Sequence, residues 1–267
     1  MAYQDILYDK RDGVATITIN RPKVLNAFRA ETVEEMLEAM RDAEDDHDIG
    51  VIVLAGAGDR AFCSGGDNSA RAAGATQEGG YGGRGLVGLP IEEFHTAIRD
   101  SRKPVIAKVQ GYAIGGGNVL ATVCDLTIAS EKAVFGQVGP RVGSVDPGWG
   151  TAYLSRLVGE KRAREIWFLC RRYTAAEAFQ MGLVNKVVPA EQLDAEVESW
   201  CQEILALSPT AIAIAKRSFN ADSENIRGIG ALGLESLAMY YDTDEAKEGT
   251  TAFLEKRRPD FRAKRRR

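Results

Sequence analysis

The composition is that of a globular protein. The chain has 267 residues, enough to bury a sizeable core, and a hydrophobic share of 45%. No apolar run reaches the roughly 20 residues that span a bilayer, and residues 1–10 lack the core of a signal peptide. We therefore expect a cytoplasmic protein without a membrane partner.

Charge and side-chain chemistry exclude further classes of protein. The net charge of −4 argues against nucleic acid as a partner, and the basic tail, with five basic residues among the last six, leaves RNA binding only as a remote alternative. The four cysteines show no Cys-x-x-Cys spacing, so we expect neither a metal site nor a disulfide framework. With two histidines and no Gly-x-Ser-x-Gly elbow, a Ser-His-Asp hydrolase is disfavoured.

Strands and helices alternate in the first part of the chain. Val14–Ile19 is rich in β-branched residues and predicts a strand, with residues 3–9 as its partner. Thr32 and Glu35 predict a capping box at the start of a helix that runs to about residue 44. Residues 51–55 predict a strand buried on both faces, and residues 69–88, rich in glycine, alanine and serine, predict a mobile loop.

The rest of the chain becomes progressively helical. A helix is predicted at 90–100, a strand at Val105–Val109, a helix after residue 117, and short strands at 126–129 and 134–135. Residues 136–150 hold five glycines and predict an irregular loop suited to reactive groups. Further helices are predicted at 153–157, 161–170, 175–181, 192–206, 209–220, 228–241 and 244–256, with an extended piece at 182–188. The order predicts an α/β protein, either a stacked spiral or a single sheet.

Two glycine clusters are candidate sites for an anion. Residues 115–117 are glycines at the point where a strand gives way to a helix, which leaves bare N–H groups at a helix N-terminus. Gly65 and Gly66 follow the strand at 51–55 and can supply another N–H from the opposite side. Two converging amides suit an oxyanion that forms during a reaction.

A third glycine pattern, Gly56-x-Gly58-x-x-Ala61, resembles a dinucleotide-binding fingerprint. It continues into Phe62-Cys63-Ser64-Gly65-Gly66 instead of a helix, which is the wrong context for that motif. We therefore expect no nicotinamide or flavin cofactor.

Several motifs, in their joint order and spacing, resemble the crotonase, or enoyl-CoA hydratase/isomerase, superfamily. They are Asn20-Arg21-Pro22, Asn26-Ala27-Phe28, Phe62-Cys63-Ser64-Gly65-Gly66-Asp67, residues 111–117, Cys124-Asp125, Phe135-Gly136-Gln137 and residues 178–184, and they cover nearly the whole chain. The resemblance implies a core of stacked ββα turns (1–200), a C-terminal helical trimerisation region (201–267), usually a homo-hexamer of two trimers, and acyl-CoA substrates. It places the oxyanion-hole amides on Gly66 and Gly116.

The chain departs from the hydratases of this superfamily at two positions. Those enzymes use one glutamate two residues after the third glycine and another two residues after the Phe-Gly-Gln glutamine. Here the two positions hold Val119 and Gly139. Neither residue can move a proton, so simple hydration of an enoyl-CoA is not expected.

The remaining motifs resemble the naphthoate synthase branch and, more closely, the hydrolases that open 2-ketocyclohexanecarboxyl-CoA to pimeloyl-CoA. The hydrolase-like stretches are 88–90, 95–100, 115–121, 142–147, 213–220 and 240–245. This resemblance implies a catalytic set of Ser144, Asp146 and Tyr241, in which Asp146 activates water and Tyr241 binds the ketone oxygen or protonates the α-carbon. The alternative is a 1,4-dihydroxy-2-naphthoyl-CoA synthase, which closes a ring with the same residues.

The resemblance also implies where the substrate binds. The expected contacts with CoA and the acyl group are Val24, Leu25, Ala27, Ser64, Gly65, Asp67, Asn68, Tyr81, Tyr112, Ile114, Gly115, Gln137, Val138, Gly139 and Lys256. Tyr241 and Lys256 are expected to reach a neighbouring subunit's site. No cofactor is required beyond the CoA of the substrate, although Gly139 suggests space for a bicarbonate ion near Gln137, as in naphthoate synthases.

Overall fold

The structure is a computed structural model that describes residues 3–74 and 81–264. Its strands are β1 (Ile6–Arg11), β2 (Val14–Ile19), β3 (Val51–Gly56), β4 (Ala61–Cys63), β5 (Val105–Val109), β6 (Tyr112–Ile114), β7 (Leu126–Ser130), β8 (Val134–Gly136), β9 (Arg172–Thr174) and β10 (Lys186–Val188). Its helices are α1 (Ala30–Asp45), α2 (Asn68–Gly74), α3 (Ile91–Asp100), α4 (Gly116–Val123), α5 (Gly139–Val142), α6 (Leu154–Val158), α7 (Glu160–Leu169), α8 (Ala175–Gln180), α9 (Leu193–Leu205), α10 (Pro209–Asp222), α11 (Asn225–Tyr241), α12 (Asp244–Leu254) and α13 (Phe261–Lys264).

The strands form two sheets that share the same repeating unit. The larger sheet has the order β1-β2-β3-β5-β7-β10 and the smaller has the order β4-β6-β8-β9. From β3 to β8, each consecutive pair of strands gives its first strand to the larger sheet and its second to the smaller sheet, before a helix returns the chain. This arrangement is the stacked ββα spiral and confirms the expected fold class.

The larger sheet is covered on both faces, which explains its apolar strands. Every residue of β3 is buried, as predicted for a strand covered on both sides. Met36 and Leu37 of α1 belong to the cluster on one face, while Val197 and Cys201 of α9 pack with Val53 on the other. Burial of these side chains is the main favourable term in folding.

The beginning of α1 differs from the expected capping box. The helix starts at Ala30, and the Thr32 hydroxyl accepts a hydrogen bond from the Arg29 amide at 3.1 Å. Glu35 instead accepts hydrogen bonds from the amides of Gln4 at 2.6 Å and Asp5 at 2.8 Å. A contact across 30 residues has therefore displaced the local contact that the sequence spacing predicts.

Two predicted loops contain helices. Residues 68–74 form α2, which corrects the first part of the loop expected at 69–88, while residues 75–80 lie outside the described part of the chain. The irregular segment 136–150 contains α5 and leads into a π-helical turn at Trp149–Tyr153. Most of the later helices lie within three residues of their predicted bounds, because their apolar periodicity is local.

The expected boundary at residue 200 falls inside α9, whose apolar face packs on the larger sheet. The division of the chain into a core and a C-terminal helical region stays a prediction. Within residues 3–74 and 81–264, no helix is long and apolar enough to cross a membrane. The same residues hold no group of three His, Cys, Asp or Glu side chains suited to a metal ion.

Candidate active site

A cavity of about 90 Å³ opens where the glycine loops of the smaller sheet face α5 and α11. Thirteen of the residues expected at the site line this cavity: Ser64, Gly65, Gly66, Asn68, Tyr81, Gly115, Gly116, Gln137, Val138, Gly139, Ser144, Asp146 and Tyr241. They come from six separate segments of the chain, so the fold brings together positions that are as much as 177 residues apart in the sequence.

The backbone at Gly66 is oriented by a β-bridge to Phe28. The Phe28 amide donates to the Gly65 carbonyl at 2.9 Å, and the Asp67 amide donates to the Phe28 carbonyl at 2.8 Å. Because alternate amides of an extended segment point in opposite directions, the Gly66 N–H points away from this bridge. Gly116 opens α4 on the facing loop.

Close packing explains why these loops carry glycine. A Cβ atom on Gly65 would lie 2.8 Å from the Gly116 nitrogen, so the two loops are in direct contact. A Cβ on Gly116 would lie 2.6 Å from the Phe28 ring, and a Cβ on Gly66 would collide with the Tyr81 hydroxyl. Gly115 also adopts φ 58°, a conformation that favours glycine.

Ser144 and Tyr241 meet inside the cavity. The Ser144 hydroxyl lies 2.8 Å from the Tyr241 hydroxyl. The Arg71 guanidinium stacks 4.9 Å from the centre of the Tyr241 ring. Tyr241 therefore belongs to the cavity of its own chain, which corrects the expectation that it reaches a neighbouring subunit.

Arg71 is a buried cation that sequence reasoning missed. It donates hydrogen bonds to the carbonyl of Val142 at 2.6 Å, to the carbonyl of Gly143 at 3.2 Å, and to the Thr250 hydroxyl. It thus joins α2 to the end of α5 and to α12. A signal was available, because Arg71 is the only charged residue in 68–76, a stretch otherwise made of small and polar residues.

Asp146 is fixed by one hydrogen bond and leaves an oxygen available. Its Oδ1 accepts from the Gly150 amide at 2.9 Å, while Oδ2 accepts no hydrogen bond within the described ranges. Burial raises the pKa of the Asp146 carboxyl, the nearby His95 lowers it, and Glu92 raises it. A carboxylate with a raised pKa is a stronger base than an exposed one.

Gln137 and Gly139 differ in what they could offer to a bound anion. Gln137 is 2% exposed, and neither atom of its side-chain amide has a hydrogen-bond partner among the described residues. A Cβ on Gly139 would lie 2.5 Å from the Ser144 carbonyl oxygen and 3.0 Å from the Trp167 ring. A side chain at position 139 would therefore meet protein atoms, whereas the buried, unpaired amide of Gln137 is available to an anion; bicarbonate at this place stays a prediction.

The other expected contact residues lie outside the cavity lining. They are Val24, Leu25, Ala27, Asp67, Tyr112, Ile114 and Lys256. The first three belong to a loop tied to Ser64, whose amide donates to the Leu25 carbonyl at 3.1 Å. Asp67 forms an ion pair with Arg21 at 3.0 Å and accepts from the Ser69 amide at 3.0 Å, so it holds the start of α2. Lys256 is exposed just beyond α12.

Comparison with known proteins identifies the family of this fold and site. The family pattern of enoyl-CoA hydratase/isomerase matches residues 9–264. The chain therefore belongs to the enoyl-CoA hydratase/isomerase family, the crotonase family of enzymes.

Solved structures of similar proteins agree with this assignment. An enoyl-CoA hydratase from Mycobacterium avium subsp. paratuberculosis K-10 is 30% identical, with a TM-score of 0.85 over 97% of this chain and 99% of that one. A carnitinyl-CoA hydratase from Mycobacterium avium is 30% identical, with a TM-score of 0.83 over 98% and 100%. An enoyl-CoA hydratase/isomerase from Xanthobacter autotrophicus Py2 is 32% identical, with a TM-score of 0.80 over 95% and 93%.

Proposed function

We propose that this protein hydrolytically opens the ring of a cyclic β-keto acyl-CoA, with 2-ketocyclohexanecarboxyl-CoA as the leading substrate. The observation that carries the proposal is the meeting of Ser144, Asp146 and Tyr241 in one cavity with the two glycine loops. These groups suit cleavage next to a ketone, because they offer a base, hydroxyl donors and backbone amides within one cavity.

Asp146 is the base that activates water in this reaction. Its free Oδ2 takes a proton as the water oxygen adds to the ketone carbon, while Oδ1 remains fixed by the Gly150 amide. The bond between the former ketone carbon and the α-carbon then breaks, and its electron pair moves onto the α-carbon and thioester. The former ketone carbon becomes a carboxylic acid.

The electron pair needs a site for negative charge at the thioester oxygen. The Gly66 and Gly116 amides supply it, because N–H groups fixed in the folded chain stabilise an enolate without reorganising. Tyr81, whose pKa is raised by burial, stays a neutral phenol next to Gly66.

The hydroxyl pair completes the proton transfers. Ser144 and Tyr241 share a hydrogen bond, so one hydroxyl can donate to the ketone oxygen while accepting from the other. Tyr241 then delivers a proton to the α-carbon, and the proton held by Asp146 restores the phenol. The net change is the addition of one water and the cleavage of one carbon–carbon bond.

Hydration of an enoyl-CoA is the function suggested by the names of the similar solved structures. This chain has Val119 and Gly139, both buried, at the two positions that carry glutamates in hydratases. A pair of carboxylates is therefore lacking where water would be added across a double bond. The naphthoyl-CoA synthase reaction shares the Ser144, Asp146 and Tyr241 set, and bicarbonate near the unpaired Gln137 amide would favour it.

Product analysis with three substrates tests the proposal. The purified protein should ignore crotonyl-CoA and convert 2-ketocyclohexanecarboxyl-CoA to pimeloyl-CoA. Because hydration and ring opening both add one water, chromatography must separate the linear dicarboxylic product from a hydroxyacyl product. Succinylbenzoyl-CoA is run in parallel, with and without bicarbonate. If the protein closes the ring of that compound and does not open the cyclohexane ketone, the hydrolase proposal is wrong and the synthase function takes its place.

A further inference from the structure

Two titratable residues of α3, the buried His95 and the partly exposed Glu92, are not used by the proposed mechanism. His95 is 1% exposed, and neither ring nitrogen has a hydrogen-bond partner among the described residues. Its Nδ1 lies 3.7 Å from the Glu92 carboxylate. A buried imidazole without hydrogen bonds is costly to a fold, so its presence calls for a role.

The backbone at residues 149–150 joins this pair to Asp146. Glu92 Oε1 accepts a hydrogen bond from the Trp149 indole nitrogen at 3.0 Å. The next amide, that of Gly150, donates to Asp146 Oδ1 at 2.9 Å. Two consecutive residues therefore hold the two carboxylates, and the imidazole lies next to that of Glu92.

Helices α11 and α4 pack against these groups without bringing a further charge to them, and the side chain of Arg99 points elsewhere. A Cβ on Gly230 of α11 would lie 3.0 Å from Glu92 Oε1, so α11 packs tightly on this carboxylate. Helix α4 presents the apolar Val119 next to Gly150. Arg99, one turn beyond His95, is turned towards the Tyr153 hydroxyl at 2.7 Å and the Trp149 ring at 5.1 Å.

We propose that His95 is a positioning residue for Asp146, which acts through Glu92 and the backbone at residues 149–150 to hold the Asp146 carboxyl group in place in the site. A base must be ionised to accept a proton, and enclosure works against the ionised form. The charges act in opposite senses, since the nearby His95 lowers the pKa of Asp146 whereas Glu92 raises it. The inference rests on the proposed function in one respect, that Asp146 is the base.

The sign of the effect follows from the loss of the imidazole. His95→Gln keeps a side chain that can hydrogen-bond to Glu92 but removes the imidazole. Because the nearby His95 lowers the pKa of Asp146, that pKa should rise in the variant. The acid limb of the pH profile of kcat/KM should move to higher pH by the same amount, and most activity should return at alkaline pH.

A titration that needs no substrate separates this inference from the proposed function. The protein is labelled with ¹³C at the aspartate carboxyl carbons, and the Asp146 signal is assigned by its loss in Asp146→Asn. The pKa of Asp146 is then measured in the natural chain, in His95→Gln and in the smaller His95→Asn. The control is His47→Gln, which changes the exposed histidine just beyond α1 and should shift nothing.

The outcomes are distinct. An upward shift of the Asp146 titration in either folded His95 variant supports the inference, even if no cyclic ketone is opened. An unchanged Asp146 titration in a folded variant overturns it, whatever the substrate. A loss of activity that is equal at every pH also overturns it, because that result assigns His95 to packing alone.

Discussion

Asp146 is the residue whose change most directly tests the chemistry. Asp146→Asn keeps the shape and the acceptor for the Gly150 amide, but it loses the base. We expect kcat to fall by about 10²–10⁴, the usual contribution of a positioned base, with little change in the Kd of a CoA thioester. Steady-state kinetics and calorimetry measure the two quantities. An unchanged kcat would remove Asp146 from the mechanism.

The same substitution should make the fold more stable. Burial raises the pKa of Asp146 in the folded state, so the group contributes stability below its unfolded pKa and loses it as pH rises through the folded pKa. The uncharged Asp146→Asn side chain avoids that loss. Its Tm should exceed that of the natural chain at pH 8, and the difference should shrink towards pH 4. A lower Tm at pH 8 would contradict the electrostatic account.

Sequence motifs pointed to the proposed catalytic residues but not to the residues that support them. Ser144, Asp146 and Tyr241 lie in stretches that resemble a known branch of the family, and the structure brings all three to one cavity. Arg71 and His95 carry no such motif. The bond from Arg71 to Thr250 spans 179 residues, so only the assembled fold reveals it.

At the scale of elements, the start of α4 is where backbone packing limits substitution. Gly116→Ala places a methyl group 2.6 Å from the Phe28 ring, which is 3% exposed and cannot move freely. The loop must shift, and the loss of one oxyanion donor costs about 10²–10³ in kcat. KM should change little.

A matched glycine serves as the control for that substitution. Gly228 in α11 has open space where a Cβ would stand. Gly228→Ala should therefore stabilise the helix by about 0.5–1 kcal/mol, measured by urea unfolding, and leave kcat unchanged. Equal kinetic losses in both variants would show that the Gly116 effect is not local to the site.

Arg71 connects three elements, so its loss should weaken the packing among all of them. Arg71→Met removes the donors to Val142, Gly143 and Thr250 and leaves buried acceptors unpaired, at a cost of about 2–4 kcal/mol. Because the guanidinium also stacks on Tyr241, kcat should fall along with stability. Arg71→Lys keeps the charge but not the planar fork, and should recover only part of either. Full recovery of kcat and stability in Arg71→Lys would show that only the positive charge of Arg71 matters.

Elements with a strong local pattern were predictable, and those shaped by distant contacts were not. The apolar run of β3 and the apolar periodicity of α9 can each be recognised from the residues of that segment alone. The short strands β4, β6 and β9 have three residues each and form because neighbouring strands offer partners. Helix α2 is rich in small residues and is held by Asp67 at its start and by the contacts of Arg71.

At the scale of the whole molecule, the C-terminal helices carry more exposed apolar side chains than one chain in water favours. Examples are Ile214 at 66%, Phe219 at 78%, Leu232 at 68% and Met239 at 74% exposure. We propose that they are covered by further copies of the chain, in keeping with the expected hexamer of two trimers. Phe219→Glu should then lower the mass measured by light scattering, whereas Phe179→Glu, an exposed phenylalanine on α8, is the comparison.

Removing the last part of the chain tests assembly and activity together. A chain ending after residue 240 loses Tyr241 and α12, and with them the partner of Ser144 and the acceptor on Thr250. It should be inactive and smaller in solution than the full chain. A truncated chain that kept full activity would contradict the role given to Tyr241.

The hydrogen bond between Ser144 and Tyr241 closes a loop of 97 residues. Contacts so distant in sequence form late, because the entropy of the intervening chain must be lost before the contact contributes. The spiral of strands can therefore reach its native pairing while the cavity still lacks its phenol. During refolding, recovery of the far-ultraviolet circular dichroism signal should precede recovery of turnover. On this prediction, a newly made chain acquires its reactivity only after its strands have paired.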